Sequence, residues 1–140
     1  MSTDPPGLLV VTHGRLADEL VAAARRIVGD LPRLAAVVLD WDDDVGDARR
    51  RIEQAIRELG SGGRALILTD MFGGTPSNVA LSFLEDGRVD VVSGVNLPML
   101  VRAFTYRTRD METLLKRAVS GGCDGVLHMS VDPVYAATRS

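Results

Sequence analysis

The sequence predicts a single α/β domain in which helices cover both faces of a doubly wound, mainly parallel sheet. Short apolar runs alternate along the chain with segments of helical periodicity, and this alternation is typical of parallel sheets. The runs are continuously apolar, as expected of strands that are buried on both faces. With 140 residues, of which 46% are hydrophobic, the chain has the size and the apolar content of one packed core.

Five segments have the length and the composition of β-strands. They are residues 8–12, 34–39, 65–69, 89–93 and 125–129. We therefore expect a sheet of four parallel strands with a C-terminal edge strand. The domain should span residues 8–129, between a disordered N-terminus at residues 1–7 and an exposed C-terminal tail at residues 130–140.

Five helices are expected between and after these strands. Apolar residues at i, i+3 and i+4 spacing indicate one helix after the first strand and another after the second. Their apolar faces are formed by Leu16, Leu20, Ala24 and Ile27 in the first helix and by Val45, Ala48, Ile52, Ile56 and Leu59 in the second. Gly29 and Gly60 stand where these two helices should end. Pro76 and Pro98 mark the first turns of two further helices, and Asp110 can cap the last one.

The composition of the chain excludes several classes of protein. A net charge of −3 and a pI near 5.3 argue against a nucleic-acid partner, because a phosphate backbone demands a basic surface. Cys123 is the only cysteine, so no internal disulfide forms, and no Cys/His cluster indicates a metal site. The N-terminus has no signal-peptide pattern, and no apolar stretch approaches the roughly 20 residues of a membrane helix. We expect a cytoplasmic protein without a metal.

Two polar residues end strands of the predicted sheet. His13 closes the first apolar run, and Asp70 closes the third. Ligands and chemistry collect at such strand ends in open α/β sheets, where these two residues would be neighbours. A carboxylate that accepts a hydrogen bond from Nδ1 would fix the imidazole tautomer and leave Nε2 as a nucleophile. We therefore predict that His13 and Asp70 are catalytic, the alternative for Asp70 being a purely structural turn residue.

A glycine turn and the start of a helix follow Asp70. Gly73 and Gly74 allow positive φ and the close approach of an anion. The first amides of the helix that begins near Thr75 lack internal partners, so they and the helix dipole favour a phosphoryl group. The GxxxxGK[ST] spacing of a nucleotide-binding P-loop is absent. Gly73, Gly74 and Thr75 are therefore predicted to bind a phosphoryl group that is not part of a nucleotide.

Three separated motifs stand out in the sequence: Thr12-His13-Gly14, DMFGGTPSN at residues 70–78 and SGVNLPML at residues 93–100. Together they resemble the mannose family (fructose/mannose/sorbose) of enzyme IIA components in the bacterial phosphoenolpyruvate-dependent sugar phosphotransferase system. The resemblance implies a phosphotransferase in which the histidine-containing phosphocarrier protein phosphorylates His13 on Nε2. The group then passes to an enzyme IIB, with no cofactor. It also implies that Asp70 binds Nδ1.

The resemblance carries further expectations for the loops and for the assembly. Thr12, Met71 and Phe72 would belong to the loops around the substrate, and the loop that contains Asn96 would line the same site. Residues 125–129 would form a strand that is exchanged within a homodimer. The partners would be proteins and not nucleic acid, and contact with a membrane would be at most peripheral, through a permease.

A regulatory role is the alternative to sugar transport. The phosphorylation of His13 would then be a switch that a binding partner reads, because added negative charge can make or break a docking surface. A hydrolase with a phosphohistidine intermediate is disfavoured, since Thr12 stands where that class has Arg and His128 is poorly placed as a second catalytic histidine.

Two features after the second predicted strand have simple structural interpretations. The acidic run at residues 42–44 is expected to cap the following helix rather than to bind a metal. Trp41 is expected to pack at the end of the strand or, alternatively, to line a partner surface.

Overall fold

The computed structural model describes residues 4–30, 32–60 and 62–131, in which a four-stranded parallel sheet is flanked by five helices. In chain order the elements are β1 (Gly7–His13), α1 (Leu16–Val28), β2 (Leu34–Leu39), α2 (Val45–Leu59), β3 (Ala65–Thr69), α3 (Thr75–Leu81), β4 (Val89–Ser93), α4 (Leu97–Thr105) and α5 (Met111–Asp124). The α/β fold predicted from the sequence is confirmed, with helices on both faces of the sheet.

The order of the strands across the sheet is β2-β1-β3-β4, and each neighbouring pair is parallel. Leu9 of β1 is in register with Ala35 on one side and with Ile67 on the other, so β1 is an interior strand. The carboxyl ends of β2 and β3 therefore flank the carboxyl end of β1. Because β4 lies one strand further away, beyond β3, the turn after β4 starts far from the end of β1.

The side chains of β1 alternate between two apolar cores, one on each face of the sheet. Leu8 and Val10 pack into the core that is covered by α1, α4 and α5. Leu9 and Val11 pack into the core that is covered by α2 and α3. All four side chains are fully buried. Burial on both faces explains why β1 is continuously apolar in sequence from Leu8 to Val11.

The helices end at the residues that the sequence marks for them. Gly29 follows α1 and Gly60 follows α2, with φ angles of 96° and 77°. Asp110 caps α5 by accepting a backbone N–H of its first turn. Asp44 caps α2 by accepting the backbone N–H of Asp47, and this hydrogen bond holds the pKa of the Asp44 carboxyl below its usual range. Asp44, the last residue of the acidic run, is therefore a helix cap, as predicted.

The N-terminal boundary of the fold differs from the expected one. Gly7, predicted as part of a disordered N-terminus, is the buried first residue of β1. A Cβ at this position would lie 2.7 Å from Cδ1 of Leu59, so the strand begins on a glycine that α2 packs against. The carboxylate of Asp4 also lies 2.7 Å from the guanidinium of Arg33. Residues 1–3 lie outside the described residues.

The C-terminal edge strand expected at residues 125–129 is not formed within this chain. Gly125 lies in a turn directly after α5, and residues 126–130 belong to no β-ladder. A strand needs a neighbouring ladder for its N–H and C=O groups, and within the described residues none adjoins residues 126–130. Val126 and Met129 are instead 73% and 68% exposed. Of the predicted tail, residues 132–140 lie outside the described part of the chain.

Candidate active site

The carboxyl ends of β1, β2 and β3 meet around one open cavity of about 280 Å³. Its walls come from the turns after these three strands and from the first residues of α2 and α3. The lining residues are His13, Leu39, Asp40, Trp41, Asp43, Ala48, Gly73, Gly74, Thr75, Pro76 and Asn78. The structure thus brings together four residues predicted from the sequence, His13, Gly73, Gly74 and Thr75.

Asp70 binds His13 through both its ring and its backbone. Oδ2 of Asp70 lies 2.8 Å from Nδ1 of His13 and also accepts the backbone N–H of His13 at 3.1 Å. The two side chains are 20% and 14% exposed, so water screens this contact only in part. Because a carboxylate is an acceptor, Nδ1 carries the proton and Nε2 presents its lone pair. The arrangement can therefore support a nucleophilic Nε2.

The other carboxylate oxygen of Asp70 makes no hydrogen bond to any residue that the structure describes. Within the described part of the chain, Oδ1 of Asp70 is buried and has no hydrogen-bond partner. The hydrogen bonds that hold this carboxylate therefore come from His13 through Oδ2 alone. A carboxylate aimed so exclusively at one imidazole orients that ring rather than a network of other side chains.

Gly73 and Gly74 have different physical roles in the turn after β3. Gly73 has a φ of 91°, a conformation that favours glycine. Gly74 has an ordinary φ of −82°, but a Cβ there would lie 2.6 Å from Cε1 and 3.0 Å from Nε2 of His13. Gly73 therefore permits the turn, and Gly74 permits the backbone to approach the nucleophilic edge of the imidazole.

The glycine turn also leaves the start of α3 open toward His13. Gly74 is the N-cap residue of α3 and has no side chain with which to cap it. Pro76, in the first turn, has no N–H to satisfy. The remaining first-turn N–H groups have no intrahelical acceptor. An oxyanion beside Nε2 could accept hydrogen bonds from this backbone.

Trp41 is a site residue that the sequence analysis did not predict as part of the chemistry. Its indole stacks on the imidazole of His13, with ring centroids 4.7 Å apart and an interplanar angle of 22°. Trp41 is 79% exposed, so its packing at the end of β2 is limited to this stack, and its alternative role in lining a partner surface stays a prediction. The one available signal was an aromatic residue in the turn after a strand that neighbours β1.

Two predicted site residues point elsewhere. Thr12 is fully buried, and its hydroxyl accepts the backbone N–H of Ala17 at 2.7 Å, so it fixes the start of α1. Asn96 accepts the backbone N–H of Met99 at 2.9 Å and donates to the carbonyl of Gly122 at 3.1 Å. Neither residue lines the cavity around His13. Their role is to hold helices in place.

Met71 and Phe72 lie on the surface between Asp70 and the glycine turn. They are 61% and 76% exposed, and neither lines the cavity. Apolar side chains this exposed are available to a partner protein rather than to a small molecule enclosed in a pocket.

Among residues 4–30, 32–60 and 62–131, no cluster of His, Cys, Asp and Glu could hold a metal ion. No helix in those same ranges has the length and apolarity to cross a membrane.

The sequence matches a known family over most of its length. The family model described as the fructose IIA component of the phosphotransferase system (PTS) matches residues 7–119. The chain belongs to this family. It is therefore a mannose-family IIA component of the phosphotransferase system, and IIA components are phosphotransferases that serve sugar transport.

Individual relatives agree with this assignment. The fructose-specific EIIA component of Bacillus subtilis is 33% identical over 101 residues, which cover 71% of this chain and 69% of that protein. The mannose-specific EIIAB component of Escherichia coli K12 is 27% identical over 133 residues, which cover 93% of this chain but only 41% of the relative. The mannose/sorbose-specific IIA subunit of Enterococcus faecalis has a similar structure, with a TM-score of 0.83 and 29% identity over 91% of this chain and 97% of that one.

Proposed function

We propose that His13 accepts a phosphoryl group on Nε2 from the histidine-containing phosphocarrier protein and passes it to an enzyme IIB. The observation that carries this proposal is the 2.8 Å contact between Nδ1 of His13 and Oδ2 of Asp70. This contact leaves Nε2 as the nitrogen with a free lone pair, on the edge of the ring that adjoins Gly74. Membership in the fructose IIA family supports a relay between protein partners.

The acceptance step is an exchange of one N–P bond for another. The Nε2 lone pair of His13 attacks the phosphorus carried by the donor protein, and the donor's N–P bond breaks as the new one forms. The electron pair of the broken bond returns to the donor nitrogen. Nδ1 keeps its proton throughout, and the carboxylate of Asp70 offsets the positive charge that the imidazole ring gains. Transfer to the acceptor repeats the exchange in the opposite sense.

Gly73, Gly74 and Thr75 hold the phosphoryl oxygens in this proposal. The backbone of Gly74 lies against Nε2, so a phosphorus bonded to Nε2 would sit over the turn and the uncapped start of α3. Backbone N–H groups fixed in place before the reaction stabilise charge on the transferred group without reorganisation. The exposed side chains of Met71 and Phe72 would then contact the partner protein.

The protein acts as a homodimer in the same proposal. The segment after α5 leaves Val126 and Met129 exposed, and in the proposed dimer it adds a strand to the sheet of the partner subunit. The cytoplasmic location and the at most peripheral contact with a permease stay predictions from the sequence.

Label transfer tests the proposal at His13. The protein is incubated with radiolabelled phosphoenolpyruvate, enzyme I and the phosphocarrier protein, and the protein-bound label is counted. His13→Ala should incorporate no label because the nucleophile is lost. His128→Gln changes the only other histidine and should be labelled like the wild type. Equal labelling of His13→Ala and the wild type would contradict the proposal.

The acceptor is tested by adding candidate IIB proteins to the labelled, purified protein. A cognate IIB should remove the label from the wild type within the time of a catalytic turnover. If no IIB removes the label, the proposed transfer to a IIB is wrong. A regulatory role, in which a partner binds according to the phosphorylation state of His13, then replaces it.

A further inference from the structure

We propose that Trp41 is a positioning residue that holds the imidazole of His13 in the orientation needed for phosphoryl transfer. This inference rests on the proposed function of His13. Trp41 is outside the three motifs that carry the family resemblance, and it reaches the site because β2 is a neighbour of β1.

The imidazole of His13 is confined by three different kinds of contact. Asp70 fixes the Nδ1 edge through a 2.8 Å hydrogen bond. The backbone of Gly74 lies against the Cε1–Nε2 edge so closely that it leaves no room for a Cβ. Trp41 covers one face of the ring at a centroid distance of 4.7 Å. A hydrogen bond and an edge contact still allow the ring to tilt out of its plane, and the indole blocks that tilt on its side.

A hydrogen-bonded turn holds Trp41 in this place. The backbone N–H of Asp43 donates to the carbonyl of Asp40 at 3.1 Å, and the backbone N–H of Asp40 donates to the Asp43 carboxylate at 2.9 Å. Arg51 of α2 lies 2.6 Å from the same carboxylate. The turn is thus closed in both directions and tied to a helix, although it exposes 79% of the tryptophan that it carries.

Exposure of this indole argues for a role in the site. A large apolar side chain gains little from core packing when it is 79% exposed, and here the ring contact that the structure shows is the one with His13. The indole covers a face of the imidazole and leaves the edge of the ring at Nε2 uncovered. The Nε2 lone pair lies in the plane of the imidazole, so a phosphoryl group can approach it along that plane. An indole face also attracts a neighbouring ring that becomes positively charged, as the imidazole does when Nε2 is phosphorylated.

Single-turnover labelling at increasing concentrations of the phosphocarrier protein separates positioning from simple docking, with kcat taken as the limiting rate constant and KM as the half-saturating concentration. Trp41→Ala should lower kcat about tenfold, the order expected for loss of one stacking contact and of part of the alignment, with the KM for the phosphocarrier protein within about twofold of wild type. Trp41→Phe keeps a ring to stack and should recover most of the rate. Val45→Ala, which removes exposed apolar surface that does not line the cavity, serves as the matched control and should leave kcat unchanged.

Two results would overturn the inference. A raised KM with an unchanged kcat would make Trp41 a docking residue, and wild-type kinetics in Trp41→Ala would give it no role. A wild type that takes up no label would instead contradict the proposed function of His13, so the two failures are distinguishable.

Spectroscopy tests the stack without any partner. The ring protons of His13 should carry an upfield ring-current shift in the NMR spectrum of the wild type and of Trp41→Phe, and lose it in Trp41→Ala, while the other resonances show that the fold is intact. Because Trp41 is the only tryptophan, its fluorescence should also change when the wild type is phosphorylated and stay constant in His13→Ala. Unshifted His13 resonances in the wild type would remove the geometric basis of the inference.

Discussion

The turn after β3 and the turn after β4 are built alike and serve different purposes. Each contains a glycine with positive φ, Gly73 at 91° and Gly94 at 92°, and each leads into a helix with proline in its first turn. The turn after β3 presents Gly74 to the imidazole of His13. The turn after β4 uses Asn96 to cap α4 and to bind α5.

The order of the strands explains this difference. β3 is a direct neighbour of β1, so its turn meets the carboxyl end of the strand that carries His13. β4 is separated from β1 by β3, and its turn meets α5 instead. The turn after β2, on the other side of β1, supplies Trp41. A local pattern of glycine, cap and proline thus specifies how a helix begins, whereas adjacency in the sheet determines whether the turn takes part in chemistry.

Among changes in these two turns, the largest effect is expected from Gly74→Ala. Its Cβ would come within 2.6 Å of Cε1 of His13, so the imidazole has to move by about 1 Å, a displacement that can cost about 100-fold in rate. The backbone φ of −82° suits alanine, so the protein should still unfold cooperatively in denaturant. Rapid-quench measurement of label transfer from the phosphocarrier protein checks the rate. A wild-type rate would mean that the contact between turn and imidazole is not needed for transfer.

A change at the second turn should affect stability and spare transfer. Asn96→Ala removes the cap at Met99 and the hydrogen bond to Gly122, and should lower the free energy of unfolding by about 2 kcal/mol. Asn96→Ser keeps a capping oxygen but is too short to reach Gly122, so about half of that loss is expected. Urea unfolding measures both variants. Their labelling rates should stay within about twofold of wild type. A large fall in the labelling rate would mean that Asn96 takes part in phosphoryl transfer after all.

The sequence predicts the four strands and five helices of this fold well because each depends on residues close together in the chain, whereas the expected edge strand at residues 125–129 is not formed within the described part of the chain. Gly60 ends α2 and Asp110 caps α5 through contacts within a few residues. The pairing of His13 with Asp70 also follows, since both residues end neighbouring strands. The stack of Trp41 on His13 and the contact of Asn96 with Gly122 depend instead on strand order and on helix packing, which no local pattern encodes.

The smallest expected effect compares the two matched glycines directly. Gly73 and Gly94 have nearly the same φ, and a Cβ at either position meets nothing within 4 Å, so alanine at each should cost a similar 1–2 kcal/mol, about the strain of a left-handed alanine. Urea unfolding of Gly73→Ala and Gly94→Ala measures that cost. Label transfer should slow severalfold in Gly73→Ala and stay unchanged in Gly94→Ala. The backbone at residue 73 would shift to relieve the strain of the alanine, and this shift would move Gly74 relative to the imidazole of His13. Equal slowing in Gly94→Ala would show that the conformation of the turn after β4 affects transfer to His13, although β4 and β1 are not neighbours in the sheet.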